Sequence, residues 1–224
     1  MPERTVSLPG PLGLLGGTFD PIHFGHLRLA ETARDRLGLG QVCLIPAGFP
    51  PHRVQPAASP EHRLAMTRLA VADNPALLVD DAEVRMQVPS YTVHTLQRLR
   101  TLYGSQCPLV LILGMDAFLG LPGWHQWESL FSLAHIAVVN RPQLVTGANP
   151  VETVPALAAF CAGRWCDQPA MLAESPAGHV IFFDMTAVAT SASMLRSLFQ
   201  TGISTRYLLP DSVLDYIVLH HLYH

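Results

Sequence analysis

Lysine is missing altogether: the fourteen basic residues of this 224-residue chain are all arginines. That excludes a Walker phosphate loop, which needs a lysine, and any route through a lysine Schiff base or a lysine nucleophile. A coding bias toward arginine is the plain explanation of the gap itself. Cysteine is scarce, and Cys43, Cys107, Cys161 and Cys166 form no CxxC pair. Their spacing fits neither a disulfide framework nor a zinc knuckle, so ordinary thiols are expected and no metal-binding set is assigned. Charge is low as well, 14% of residues with a formal net charge of −3. An extended polynucleotide-binding face needs clustered cations and is excluded, although a few arginines suffice for a small phosphorylated ligand. Hydrophobic residues reach 49%, yet no apolar run attains the ~18–20 residues that span a bilayer. No long apolar stretch follows the first basic residue of MPERTVSLPGPLG, so the expectation is a soluble chain with no membrane partner and a cytoplasmic address.

What is present alternates. LGLLGG at 12–17 reads as a strand, and HLRLAETARDRL repeats Leu27, Ala30, Ala33 and Leu37 at helical spacing, with Gly38 and Gly40 closing it. VCLIP at 42–46 completes a first βαβ unit. A Pro-rich loop follows, then a helix with Ser59 as cap, Pro60 in its first position and Glu61 in its first turn, running to about Asn74. LLVDDAEV reads as a strand. PSYTVHTLQRLRTLYG reads as a helix capped by Ser90 with Val93, Leu96 and Tyr103 inward. PLVLILG at 108–114 has the continuous apolar character of a strand buried in a parallel sheet. HIAVVN and HVIFFD are further strands, and helices are expected from about 193 and about 211. Residues 141–178 lose periodicity and read as an irregular excursion with one helix near 153–162. The fold class is therefore α/β, a doubly wound parallel sheet of Rossmann-like type in a single domain over 1–224, with a helical part from about 190.

In such sheets ligands collect where strands end and helices begin. GGTFDPIHFGH occupies that place after the first strand. Gly16 and Gly17 let backbone amides approach an anion, Thr18 and Asp20 can cap, and the helix start carries a positive dipole end. His23 and His26 lie three apart and so share a helix face, with Gly25 leaving room between them. A lone histidine here would be an exposed or capping residue. Two, directly after GGTFDP, point to donors for phosphate. Arg196, close after Ser191 and Ser193, can make bidentate bonds to pyrophosphate, although an arginine in TSASMLR taken alone is more often a solvated one. Trp124 alone would be more often a core residue. The adjacent His220 and His221 face different sides of a helix, and HHLYH is read as a terminal helix rather than a metal site.

GGTFDPIHFGH resembles the signature of the HxGH nucleotidyltransferase superfamily, and specifically that of bacterial nicotinate mononucleotide adenylyltransferases. PPHR at 50–53, PSYTVHTL at 89–96, LGMDAF at 113–118, LPGWHQW at 121–127, NRP at 140–142 and TSASMLR at 190–196 follow in the family's order. The resemblance implies adenylyl transfer from ATP to nicotinate mononucleotide, a step of NAD biosynthesis. It implies an ATP site of Gly16, Gly17, Thr18, Phe19, His23, His26, Gly114, Asp116, Ser191, Ser193 and Arg196, with His23, His26 and Arg196 carrying the catalysis. It places Tyr91, Thr92, Trp124 and His125 around the nicotinate ring, Trp124 as a stacking platform, and His52 and Arg53 near phosphates. Mg²⁺ is implied as a companion of the ATP phosphates, with no protein cage. The chain departs from the family pattern at Phe49, Arg53, His94, where an acid is common, and Ala192.

Three other readings compete. Phosphopantetheine could replace the pyridine nucleotide, but SYT and Trp124 favour a flat aromatic acceptor, which nicotinamide mononucleotide offers as well as nicotinate mononucleotide. A class I aminoacyl-tRNA synthetase shares an HxGH-type signature, yet this chain lacks the length for an anticodon-binding domain and the lysine for a KMSKS-type loop. A noncatalytic nucleotide-binding module would have no need of His23, His26 and Arg196 together.

Overall fold

Apolar runs become strands and helical periodicities become helices in a computed structural model that describes residues 10–49, 55–86, 88–140, 150–186 and 188–224. The strands are β1 (Leu12–Gly17), β2 (Gln41–Pro46), β3 (Leu77–Val79), β4 (Leu109–Gly114), β5 (His135–Asn140) and β6 (Val180–Asp184). The helices are α1 (Phe24–Leu37), α2 (Pro60–Val71), α3 (Ala82–Arg85), α4 (Thr92–Tyr103), α5 (Met115–Leu119), α6 (Trp127–Leu133), α7 (Pro155–Cys161), α8 (Ala192–Gln200) and α9 (Asp211–Leu219). The strand order is β3-β2-β1-β4-β5-β6, the doubly wound order of Rossmann-like sheets.

The chain divides into two compact units. The first comprises Met1–Leu15, Thr32–Val42 and Tyr91–Thr186. In it β4 pairs in parallel with β1, Leu111 opposite Leu14, and with β5, Leu111 opposite Ile136, while β5 pairs in parallel with β6. Leu109, Val110, Leu111 and Ile112 are all buried, as expected of a strand with helices on both faces. Part of the irregular stretch, 141–149, lies outside the described residues. The rest holds α7, flanked by 3-10 turns at Pro150–Thr153 and Pro169–Ala173. Polar groups fasten it. His135 donates from Nε2 to the Ser175 carbonyl at 2.8 Å and accepts the His179 amide at Nδ1, 3.1 Å. Arg100 donates to the carbonyls of Leu133 (2.8 Å) and Pro176 (2.6 Å), and the Arg164 guanidinium lies 4.9 Å from the Phe160 ring centre.

The second unit comprises Gly16–Glu31, Cys43–Ser90 and Ala187–His224. Here α2 opens as expected, Pro60 in its first turn and Ser59 accepting the His62 amide at 3.4 Å. HHLYH is not helical: α9 ends at Leu219, and His221 and Tyr223 have left-handed backbones. Two further expectations fail. LLVDDAEV is not all strand: β3 stops at Val79 and Ala82–Arg85 is a helical turn, because the Asp80 carboxylate accepts the Ala82 amide at 3.1 Å and turns the chain. Ser90 does not cap α4. Its Oγ accepts the amides of Gly48 (3.1 Å) and Phe49 (3.3 Å) instead, and α4 begins after an extended Tyr91. The helix expected from about 193 begins at Ala192, with Ser191 as its cap.

Candidate active site

The loop that leaves β1 is built around two histidines. His23, just before α1, and His26, in its first turn, stack their rings 3.8 Å apart, inclined by 30°, with the Phe19 ring edge-on to His26 at 5.0 Å. Each imidazole is pinned by a backbone amide. The His23 amide donates to Nδ1 of His26 (3.3 Å), and the Gly25 amide to Nδ1 of His23 (3.1 Å). A nitrogen that accepts a bond carries no proton, so both rings are held in the tautomer with hydrogen on Nε2. Burial lowers the His23 pKa to about 4. Burial and then the neighbouring His23 lower that of His26 to about 3. Both are therefore neutral donors at pH 7. At Gly25 a Cβ would stand 2.9 Å from the His23 ring, so any larger residue would press on the stack. At Gly17 a Cβ would meet the Phe19 ring at 2.6 Å, whereas at Gly16 it would meet nothing within 4 Å, so the loop is open to a ligand at Gly16.

Asp20 does not cap α1. Its buried carboxylate accepts the amides of Ala57 (2.8 Å) and Ala58 (3.1 Å) and the Tyr223 hydroxyl (2.7 Å). Arg196, one turn into α8, donates from Nη1 to the Asp20 carbonyl at 2.7 Å, and the same nitrogen lies 3.7 Å from the Asp20 carboxylate. Ser191 caps α8 by accepting the Met194 amide at 3.2 Å and lies 3.2 Å from the Ser193 hydroxyl. Next to Gly25, the Thr190 hydroxyl is buried and has no hydrogen-bond partner among the described residues. Imidazole, hydroxyl and guanidinium donors thus gather in one unit around the signature loop.

Arg63 was not marked by the sequence, yet it holds this unit's loops. Fully buried, it donates to the carbonyls of Thr18 (2.7 Å) and Ala47 (2.6 Å) from Nη1, Gly48 (3.0 Å) from Nη2 and Ala58 (3.2 Å) from Nε. Its position among the buried Met66, Thr67 and Val71 of α2 was the available signal, since an arginine on an inward stripe must find acceptors.

The other unit carries the remaining assigned residues. Gly114 precedes α5 with an extended backbone, and a Cβ there would meet nothing within 4 Å; Asp116 is exposed in the first turn of α5. Tyr91 and His125 come together at 4.8 Å between ring centres, and His94 joins them at 5.7 Å from each. Thr92 opens α4, and Trp124 is half-buried just after the 3-10 turn Leu121–Gly123. His52 and Arg53 lie outside the described residues, as does most of NRP at 140–142.

A cytidylyltransferase-like family model matches residues 14–203. A probable nicotinate-nucleotide adenylyltransferase from Dechloromonas aromatica is 51% identical, covering 95% of this chain and 97% of the relative. One from Halorhodospira halophila is 49% identical over 97% of this chain and 94% of the relative. Among solved structures, Plasmodium falciparum nicotinic acid mononucleotide adenylyltransferase complexed with NaAD superposes with a TM-score of 0.69. It is 14% identical and covers 96% of this chain and 97% of its own, a likeness of fold.

Proposed function

From a chain that belongs to the nicotinate-nucleotide adenylyltransferase family, within the cytidylyltransferase-like group, we propose adenylyl transfer from ATP to nicotinate mononucleotide. The products are nicotinate adenine dinucleotide and pyrophosphate, in a step of NAD biosynthesis. The observation that carries this reading is the stacked pair His23 and His26, both neutral and both with the proton on Nε2. Neutral imidazoles can sit 3.8 Å apart without repulsion and still donate to phosphate oxygens.

An oxygen of the mononucleotide's 5′-phosphate attacks the α-phosphorus of ATP in line. A new P–O bond forms as the α–β bridge breaks, and the electron pair leaves with pyrophosphate. The attacking oxygen is already anionic at neutral pH, so no base is needed, and the protein's task is to position two polyanions and stabilise charge. In this reading Gly16, Gly17, Thr18 and Phe19 shape the loop, and His23 and His26 donate to the triphosphate. Thr190, Ser191 and Ser193 offer hydroxyls to it, Arg196 holds the departing β and γ phosphates, and Gly114 and Asp116 receive the adenosine. Tyr91, Thr92, Trp124 and His125 take the nicotinate ring, and His52 and Arg53 its phosphate. Mg²⁺ fits as a companion of the triphosphate, whose charge it would offset. The carboxylate of Asp20 is already engaged by three donors of its own, and a hard cation favours phosphate and water oxygens over imidazole.

Purified protein incubated with ATP, Mg²⁺ and, separately, nicotinate mononucleotide, nicotinamide mononucleotide or phosphopantetheine should yield a dinucleotide mass with the first. Absence of product with all three overturns the proposal. His26→Ala should lower kcat by about 10²-fold or more in a folded protein, the scale for one preorganised donor. Turnover near that of the unsubstituted enzyme would remove His26 from the mechanism.

A further inference from the structure

We propose that Tyr223 and Asp20 are positioning residues for Arg196, setting its guanidinium for phosphate. The proposal rests on the assignment of Arg196 to the ATP phosphates made above.

The geometry is a relay of three side chains from distant parts of the sequence. Tyr223 donates its hydroxyl to Asp20 Oδ1 at 2.7 Å, and both groups are buried. The same oxygen accepts the Ala58 amide, and Oδ2 accepts that of Ala57. Three donors from two segments therefore fix the plane of one carboxylate. Arg196 meets Asp20 through a single nitrogen: Nη1 bonds the Asp20 carbonyl and faces Oδ2 at 3.7 Å. This contact anchors one corner of the planar fork and makes no demand on Nε or Nη2, and the side chain remains about a third exposed, at 32%. An arginine held by one corner presents its other donors in a defined direction, and so loses less freedom when it binds an anion.

Tyr223 is itself held against the Arg196 helix. Its ring stacks on Phe199 of α8, one turn beyond Arg196, with centres 6.0 Å apart and planes within 29°. Its backbone lies in the left-handed region at φ +67°, as does that of His221 at +52°, an unfavourable conformation for such side chains that persists only where surrounding contacts hold it. The same side chain thus packs on α8 through its ring and reaches the signature loop through its hydroxyl. Burial and the adjacent Asp20 carboxylate keep that hydroxyl protonated, its pKa well above the ordinary tyrosine range.

The test is Tyr223→Phe, which keeps the ring on Phe199 and removes only the hydroxyl, combined with Arg196→Ala in a double-mutant cycle. KM for ATP, kcat and calorimetric ATP binding are measured for the four proteins, with circular dichroism to verify folding. Tyr223→Phe is expected to weaken ATP binding and raise KM for ATP by about 3- to 10-fold, to lower kcat as well because Arg196 holds the departing phosphates, and to add almost nothing once Arg196 is alanine. An unchanged ATP affinity in Tyr223→Phe, whatever its thermal stability, overturns the proposal. So does an effect that adds in full on the Arg196→Ala background, because the hydroxyl then acts independently of Arg196. If Arg196→Ala binds ATP as the unsubstituted protein does, the phosphate assignment of Arg196 fails and this proposal falls with it. Failure of the unsubstituted protein to transfer adenylyl groups overturns the proposed function separately. Should Tyr223→Phe fold poorly, the same cycle is measured at a lower temperature at which circular dichroism shows all four proteins folded, with the same expectations.

Discussion

Arg63 shows how much one buried cation can organise. Its guanidinium touches four carbonyls from three stretches of chain, Thr18, Ala47–Gly48 and Ala58. Lysine has three donors on one point charge and cannot match that planar fan. Arg63→Lys should therefore destabilise the protein by about 3 kcal/mol or more, since bonds to a charged group are each worth roughly 1.5–3 kcal/mol and two of the stranded carbonyls, those of Gly48 and Ala58, belong to buried residues. Denaturant unfolding measures this, and a loss below ~1 kcal/mol would show that water or another donor takes over the carbonyls. At this scale the sequence was only partly legible. The paired histidines could be found because a three-residue spacing brings side chains together at a helix start, although His23 stands just before α1 and only His26 lies within it. The partners of Asp20 could not, because Ala57, Ala58, Arg196 and Tyr223 converge through tertiary folding that no local pattern encodes.

Elements were easier to read, for a physical reason. β4 is a continuous apolar run because both its faces are covered, and α2 starts where Ser59 and Pro60 announce it. Leu111, paired across to Leu14 and Ile136 and buried, sits at the centre of the first unit's strands. Leu111→Ala should remove about 2–5 kcal/mol of stability, as expected for a leucine deletion in a tightly packed interior. A loss under 1 kcal/mol by chemical denaturation would contradict that packing. Errors fell where short polar residues compete for backbone groups: Asp80 ends β3 by turning the chain, and Ser90 serves the amides of Gly48 and Phe49 rather than those of α4. The irregular stretch gave no periodic signal because much of its fastening comes from single side chains, His135, Arg100 and Arg164, reaching its carbonyls and rings.

For the molecule as a whole, three histidines with depressed pKa values among the described residues tie stability to pH. His23 and His135 titrate near 4 and His26 near 3, against an ordinary value of 6.5. The unfolded chain therefore takes up protons first as pH falls. Their contribution is fully present above pH 6.5 and drains away between 6.5 and the folded values of about 3 to 4. The urea midpoint should fall between pH 7.5 and 5.0, a range in which ordinary carboxylates stay ionised. A flat midpoint across that range would mean that the rings are as basic in the native state as in the unfolded one.

The locked tautomers of His23 and His26 carry a chemical corollary. With each Nδ1 lone pair already engaged by an amide, neither ring can strip a proton from an incoming nucleophile. Alcohols and water gain no activation from this pair, whereas an acceptor that arrives already ionised needs none, so the pair sorts hydroxyl-type candidates by acidity before shape is consulted.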